Sequence, residues 1–303
     1  MDNLCETCII SDRKELSYTN PNYIKIIKKY SLSKKFEYCL SSIVWNCQNR
    51  SFRRLCQFHF EQNGGIETQE IQAVFDLLEL WIGVTDLLDD IEDGDEVKWG
   101  EEMSILVNAS TAFMSIVTLE LQQIDMPFKE KVIPLFHRYL LQATDGQHDD
   151  LRNDLQSEED YIGMTCKKSG ALMALSCVVG TVLATGTYTS KLEACAHYIA
   201  IVAQIKNDYV DLLGAQKDIH NKKRTLPILY LLQYNDPMFD ALRAFYNGET
   251  EGVSTVGVTF DQINDSVLPI YITFMEERYR QRALSLLNEL YPATEISQLK
   301  EYI

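Results

Sequence analysis

Proline and glycine are scarce, 7 and 14 in 303 residues, and glycine falls mostly at the ends of apolar segments. Strict alternation of apolar and polar residues, the mark of half-buried strands, is missing from every long segment, which leaves an all-α reading. No low-complexity stretch divides the chain. Positive charge is also short: 28 Lys and Arg stand against 44 Asp and Glu, a formal charge of −16. Nucleic acid and anionic membranes are recognised by clustered cations, so neither is expected as the main partner. No cleavable hydrophobic leader follows Met1, and the eight cysteines are scattered, with Cys39, Cys177 and Cys195 inside apolar helical runs. That pattern points to a reducing cytoplasm. Cys5 and Cys8 form a lone Cys-x-x-Cys without a second pair or nearby histidines, too little for zinc. In a cytoplasmic protein the Asn-x-Ser matches at Asn49, Asn108 and Asn264 carry no glycosylation meaning.

The length suffices for a large core, in one domain or two. Hydrophobic period places helices at 21–30, 34–48, 51–63, 67–93, 101–124, 127–145, 158–185, 189–213, 225–233, 236–246 and 263–290. The Gly-, Ser- and Thr-rich stretch 247–259 is the best candidate for an exposed loop. Residues 169–190 hold no charge until Lys191, long enough to suggest a membrane span. Their Gly, Ser and Thr content, and the flanking Lys167 and Lys168, suit a helix surrounded by other helices instead.

Two short acidic clusters close two of the long helical segments. On a helix, residues at i, i+3 and i+4 share a face, so Asp86, Asp89, Asp90 and Asp93 form one ridge; Gln204, Asn207, Asp208 and Asp211 form another. At about 4 Å and an effective dielectric near 20, two carboxylates repel by roughly 4 kcal/mol, so facing ridges require cations. A calcium loop does not fit: with Gly94 at its sixth position, Ile91 and Gly100 fall where acidic ligands belong. Oxygen-only ligands without His or Cys suit magnesium, which usually combines one or two carboxylates with water and a substrate phosphate. The expected substrate is a diphosphate.

An anion of that kind needs cationic donors. Lys168, Lys222, Lys223 and Arg224 are candidates beside the second ridge, while Arg50 and Arg53, three apart, share a helix face that can grip a phosphate. The helix leading to the first ridge carries Ile71, Val74, Phe75, Leu78, Trp81, Ile82 and Thr85 on a broad apolar face. Two such helices with ligands at one end make a pocket with a polar mouth and an apolar floor, suited to a charged head and an apolar tail.

With these residues in hand, the chain resembles the trans-isoprenyl diphosphate synthase superfamily from about Arg50 to about Leu290. Asp89, Asp90 and Asp93 match its first Asp-rich motif, and Asn207, Asp208 and Asp211 its second, with Asn in place of the usual first Asp. Gly146-Gln147, Lys168-Ser169-Gly170-Ala171-Leu172 and Lys223-Arg224-Thr225-Leu226-Pro227 resemble further family stretches in the same order. The resemblance implies a single isoprenoid synthase domain over 1–303, with residues 1–20 expected as a flexible N-terminal segment. It further implies an all-α bundle around a prenyl pocket, three magnesium ions bridging both motifs to an allylic diphosphate, no transmembrane segment, and a homodimer. Asp89, Asp90, Asp93, Asp208 and Lys168 are then the catalytic set. Metal ligands are Asp89, Asp90, Asp93, Asn207, Asp208, Asp211 and Gln204. Arg50, Arg53, Lys98, Lys168, Lys223 and Arg224 contact diphosphate, and Trp81, Val84 and Thr85 line the prenyl pocket. The small Val84 and Thr85, just before the first motif, leave room for fifteen or twenty carbons.

Two departures bear on the acceptor. The family's Gly-Lys-x-x-Arg-Pro, which holds the homoallylic diphosphate, is Asn49-Arg50-Ser51-Phe52-Arg53-Arg54 here, and its Arg-Arg-Gly is Lys98-Trp99-Gly100. Losing a charged hydrogen bond to phosphate weakens binding by roughly 1.5–3 kcal/mol, at least tenfold for isopentenyl diphosphate. Gly146 to Asp150, Ala184 to Tyr188 and Ile201 to Gln204 look most like the ComQ-type isoprenyl transferases, which prenylate Trp of a small pheromone precursor peptide in bacterial quorum sensing. The expected activity is ionisation of a farnesyl- or geranyl-class diphosphate and transfer of the prenyl group to such a peptide. Chain elongation with isopentenyl diphosphate, terpene cyclisation and a non-catalytic partner subunit are the alternatives.

Overall fold

The computed structural model describes residues 21–46, 51–94, 102–250 and 258–292. Their regular structure is entirely helical. In chain order the helices are α1 (Pro21–Lys29), α2 (Lys34–Asn46), α3 (Ser51–Gln62), α4 (Gln69–Glu92), α5 (Met103–Gln123), α6 (Lys129–Arg152), α7 (Glu158–Lys167) and α8 (Ser169–Thr185). There follow α9 (Ser190–Leu213), the short α10 (Lys217–His220), α11 (Leu226–Gln233), a 3₁₀ turn (Pro237–Phe239), α12 (Asp240–Tyr246), α13 (Phe260–Asp265) and α14 (Leu268–Leu290). The chain divides into two compact units, Met1–Phe136 with Val179–Thr187, and His137–Val178 with Tyr188–Ile303. The division falls inside α6 and α8 and not at a linker.

In the first unit α4 packs against α3 and α5. Thr68 starts α4 by accepting the Ile71 amide on its side chain, satisfying one of the four donors a helix start leaves over. The apolar face read from the sequence is buried at Ile71, Val74, Phe75, Leu78, Trp81 and Ile82, while Thr85 is half-buried. Each fully buried side chain of this size contributes about 1.5–3 kcal/mol. Trp81 meets Phe136 edge-on, with ring centroids 5.7 Å apart. Helix α5 is apolar and long enough by composition to cross a membrane. It buries Leu106, Phe113, Val117 and Leu121 on one face and leaves Ile105, Val107 and Leu119 exposed on the other.

In the second unit α9 lies along α14, and α7 and α11 pack on them around Tyr161, Ile201, Ile205, Phe239, Ile272 and Met275. Ser157 and Asp160 form a reciprocal capping box that fixes the start of α7. The helix expected over 158–185 is broken at Lys168, just before the uncharged run, where ψ is −90° and the axis bends by 42°. The expected helix 263–290 is likewise two: Pro269 opens α14, lacking the amide that would continue the turn from α13. Helix α6 runs past the expected 145 to Arg152, and the stretch expected as helix 236–246 begins as a 3₁₀ turn at Pro237.

Candidate active site

Helix α6 presents Gly146, and only a glycine permits the approach made there: a Cβ would lie 2.3 Å from the Lys168 amide nitrogen and 2.6 Å from the Lys167 carbonyl carbon. This close packing sets the break between α7 and α8 against α6. One turn beyond Gly146, Asp150 accepts Lys168 Nζ at 2.7 Å, and Lys223 Nζ stands 3.5 Å from the same oxygen. All three side chains are mostly buried. Burial alone would raise the Asp150 carboxyl, but the two ammonium groups hold it below the usual carboxylate range. Two cations thus share one carboxylate.

Beside it runs a polar chain. Ser169 Oγ donates to Gln204 Oε1 at 3.0 Å, Gln204 Nε2 donates to Asp208 Oδ1 at 2.8 Å, and the Tyr161 hydroxyl donates to Asp208 Oδ2 at 2.6 Å. Asp208 is buried, which pushes its carboxyl up to about 7 against the two hydrogen bonds; nearby Asp218 and Asp150 add to the rise. The Tyr161 phenol is pushed well above its ordinary value by burial and by Asp208. Asp211 accepts the backbone amides of Lys217 and Asp218 at 3.3 and 3.0 Å, fixing the turn into α10. Asn207 is exposed. Gln147, next to Gly146, is buried with no hydrogen-bond partner for its amide among the described residues.

The remaining cations differ in availability. Lys222 Nζ donates to the Phe245 carbonyl at 2.8 Å and stands over that ring, so it serves the loop. Asn153 accepts the Arg224 amide at 2.9 Å and donates to the Lys222 carbonyl at 2.7 Å, which pins the segment carrying Lys223. The Arg224 guanidinium reaches Leu155 O and Gln156 Oε1 only at 3.5 Å.

In the first unit, Asp89 and Asp90 lie in the last turn of α4 and Asp93 caps its end, all three half-buried, each of Asp89 and Asp93 with one oxygen withdrawn from solvent. Neither α4 nor α9 carries a basic residue in its last turn. Acids at a helix C-terminus oppose the helix dipole by about 0.3–1 kcal/mol each, so both ends are locally unfavourable without a cation. Trp81 and Val84 are fully buried. Arg53 is engaged by Asp76, its Nε 2.8 Å from Oδ1. Arg50 and Lys98, together with Trp99, Cys5 and Cys8, lie outside the described residues.

Among the described residues no three His, Cys, Asp or Glu side chains converge to hold an ion by themselves. The donors at both helix ends are oxygens, offered singly or in pairs. Each of the two sets, taken by itself, suits magnesium arriving with a phosphate ligand, and neither forms an all-protein cage.

A polyprenyl synthetase family model matches residues 44–263, a span that includes both acidic ridges, Gly146, Lys168 and Lys223. The chain belongs to the polyprenyl synthetase family. It is a prenyltransferase, similar to the tryptophan prenyltransferase ComQ of Bacillus spizizenii, with 31% identity over 248 residues, 79% of this chain and 88% of that protein. The short chain isoprenyl diphosphate synthase of Methanocaldococcus jannaschii is 27% identical over 194 residues, 56% of this chain and 58% of that one. The fold is the all-α isoprenoid-synthase bundle. A solved geranylgeranyl pyrophosphate synthase from Corynebacterium glutamicum aligns with a TM-score of 0.74 at 18% identity, covering 96% of this chain and 92% of that one.

Sequence reasoning did not assign Asp150, Tyr161 or Ser169 to the polyprenyl synthetase site. Asp150 had a signal in its spacing, four residues from Gly146 on one helix face. Tyr161 had none, because its partner Asp208 is 47 residues away.

Proposed function

We propose that this polyprenyl synthetase family member ionises an allylic prenyl diphosphate of the farnesyl or geranyl class and transfers the prenyl group to Trp of a small precursor peptide. The observation that carries the ionisation is the pair of ammonium groups, Lys168 and Lys223, converging on buried Asp150 at a helix break. Fixed cations in a water-poor setting stabilise a leaving diphosphate more as its charge grows, without reorganising, and that difference lowers a barrier. Lys168 and Lys223 are the donors to that anion. Ser169, Gln204 and Tyr161 hold Asp208 and with it the end of α9. Asp89, Asp90, Asp93, Asn207, Asp208, Asp211 and Gln204 are the residues proposed to hold magnesium. Magnesium, three ions with the diphosphate bound, supplies Lewis-acid charge neutralisation to the leaving group. Val84, Thr85 and Trp81 belong to the prenyl pocket, within a single catalytic domain that works as a homodimer.

The peptide acceptor is supported by the 31% identity to a tryptophan prenyltransferase over most of both chains, and by the altered Asn49 to Arg54 and Lys98 to Gly100 stretches. Chain elongation with isopentenyl diphosphate is the second reading. Its support is the likeness to the Methanocaldococcus jannaschii isoprenyl diphosphate synthase and the shared fold of a geranylgeranyl pyrophosphate synthase. The two part on one experiment. Purified protein is incubated with magnesium and farnesyl or geranyl diphosphate, with a Trp-containing peptide, with isopentenyl diphosphate, or with both. A peptide heavier by one prenyl group supports transfer to Trp; a prenyl diphosphate longer by one isoprene unit with unmodified peptide overturns it in favour of elongation.

A further inference from the structure

The start of α3 offers Arg53 as a phosphate donor by its spacing from Arg50, yet its side chain is already held. Arg53 Nε donates to Asp76 Oδ1 at 2.8 Å and Nη1 donates to Gln57 Oε1 at 3.0 Å. The Arg53 backbone amide donates to Glu79 Oε2 at 2.7 Å. Asp76 and Glu79 lie three apart on α4, and both are more than nine-tenths buried. The Tyr23 hydroxyl donates to the Asp76 carbonyl at 2.8 Å, tying this turn of α4 to α1.

A carboxylate set between Phe75 and Leu77 in the apolar core persists only with a charged partner, and Arg53 is that partner. Grip on a phosphate by arginine depends on a fork of parallel donors. Here Nε, one side of the fork, is taken by Asp76. Charge works in the same direction: Arg53 brings one positive charge and Asp76 with Glu79 bring two negative ones. Among the described residues, a diphosphate approaching this spot meets two carboxylates against Arg53 and the exposed Arg54.

We propose that Asp76 is a specificity-determining residue: it withdraws Arg53 from phosphate binding and thereby selects an acceptor that carries no diphosphate. The proposal rests on the peptide-acceptor reading above and names the side chain that enforces it.

The test uses the full chain and measures isopentenyl diphosphate binding directly, by calorimetry, independently of any product. Asp76→Asn and Asp76→Ala remove the carboxylate charge, whereas Asp76→Glu keeps it. The expected result is that the first two tighten isopentenyl diphosphate by about tenfold or more, the worth of one charged hydrogen bond. Adding Arg53→Ala to Asp76→Asn erases the gain. Folded Asp76→Asn or Asp76→Ala protein that binds within threefold of the parent overturns the proposal, as does a gain that survives Arg53→Ala. A measurement on the unaltered protein stands beside the variants: phenylglyoxal labelling mapped by mass spectrometry. Arg53 reactivity is expected to be the same with and without saturating isopentenyl diphosphate, and protection of Arg53 by that ligand overturns the proposal. Failure of the peptide reading is seen elsewhere, as parent protein that elongates farnesyl diphosphate and leaves the peptide unmodified.

Discussion

Gly146→Ala and Gly163→Ala make the same chemical change on helices of the same unit, and the structure gives them opposite signs. Intrinsic propensity favours alanine over glycine inside a helix by about 1 kcal/mol at both positions. At Gly163, exposed on α7, a Cβ meets nothing within 4 Å, so that gain should appear in full. At Gly146 the new carbon would stand 2.3 Å from the Lys168 amide nitrogen, 2.6 Å from the Lys167 carbonyl carbon and 2.7 Å from Lys167 Cβ. Ordinary carbon contacts begin at about 3.5 Å, so a helix must move by about 1 Å. Overpacking costs about 1–3 kcal/mol, and backbone obstacles belong at the upper end, leaving a net loss of about 2 kcal/mol after the propensity gain. Because the obstacle is Lys168 itself, the move also displaces its ammonium group. A misplacement of about 1 Å can lower turnover on the order of a hundredfold. Urea melts followed by circular dichroism give the stability, and diphosphate release from farnesyl diphosphate gives the turnover. If Gly146→Ala proves as stable and as active as Gly163→Ala, the close approach of α6 to the α7–α8 break is not what positions Lys168.

Asp89→Ala is expected to lower diphosphate release by about a hundredfold or more, and turnover near the parent value for both it and Asp208→Ala would refute the ionisation mechanism. Tyr161→Phe leaves buried Asp208 without one of its donors and should destabilise by about 1–3 kcal/mol, read as a shift in the urea midpoint at pH 8. His59 is fully buried and its imidazole is pushed down to about 3 by that burial. Below its ordinary value of about 6.5 the unfolded chain gains a proton that the folded chain refuses, so stability falls as pH drops from about 6.5 toward 3. At pH 5 the loss is about 2 kcal/mol. Urea melts at pH 7 and pH 5 should show that loss reduced in His59→Gln, and an unchanged difference would exclude His59 as its source. Val84→Phe places a large ring at a fully buried position and should shorten the prenyl diphosphate that is accepted, by competition between geranyl and farnesyl diphosphates; an unchanged preference counts against Val84 as pocket floor.

Long periodic segments were legible because burial selects them: the apolar positions Ile71 to Ile82 and the ends of α4 and α9 lie close to where the spacing puts them. Breaks were less so. The α7–α8 break at Lys168 has no proline, only the Ser169-Gly170 pair that follows it, and the close approach of Gly146 on α6 to the Lys167–Lys168 backbone is not visible in spacing. Four-residue α10 is created by Asp211 capping Lys217 and Asp218 after a left-handed Gln216, contacts too local and too short for any period. In the site, Lys168 and Lys223 could be named from charge next to apolar runs. That both lean on Asp150, or that Arg53 is bound by Asp76 across 23 residues, is pairing information that spacing does not hold.

Asp150 behaves as a tethered rival to any incoming anion. Under the proposed function, Asp150, held by α6 at a fixed high effective concentration, keeps Lys168 and Lys223 aligned between turnovers. A ligand with several charges can outcompete it, and the leaving diphosphate, whose negative charge grows as its bond to carbon breaks, competes more strongly still. Under the proposed function, return of Lys168 and Lys223 to Asp150 accompanies product departure, so the carboxylate bears on the end of the cycle as well as on its beginning.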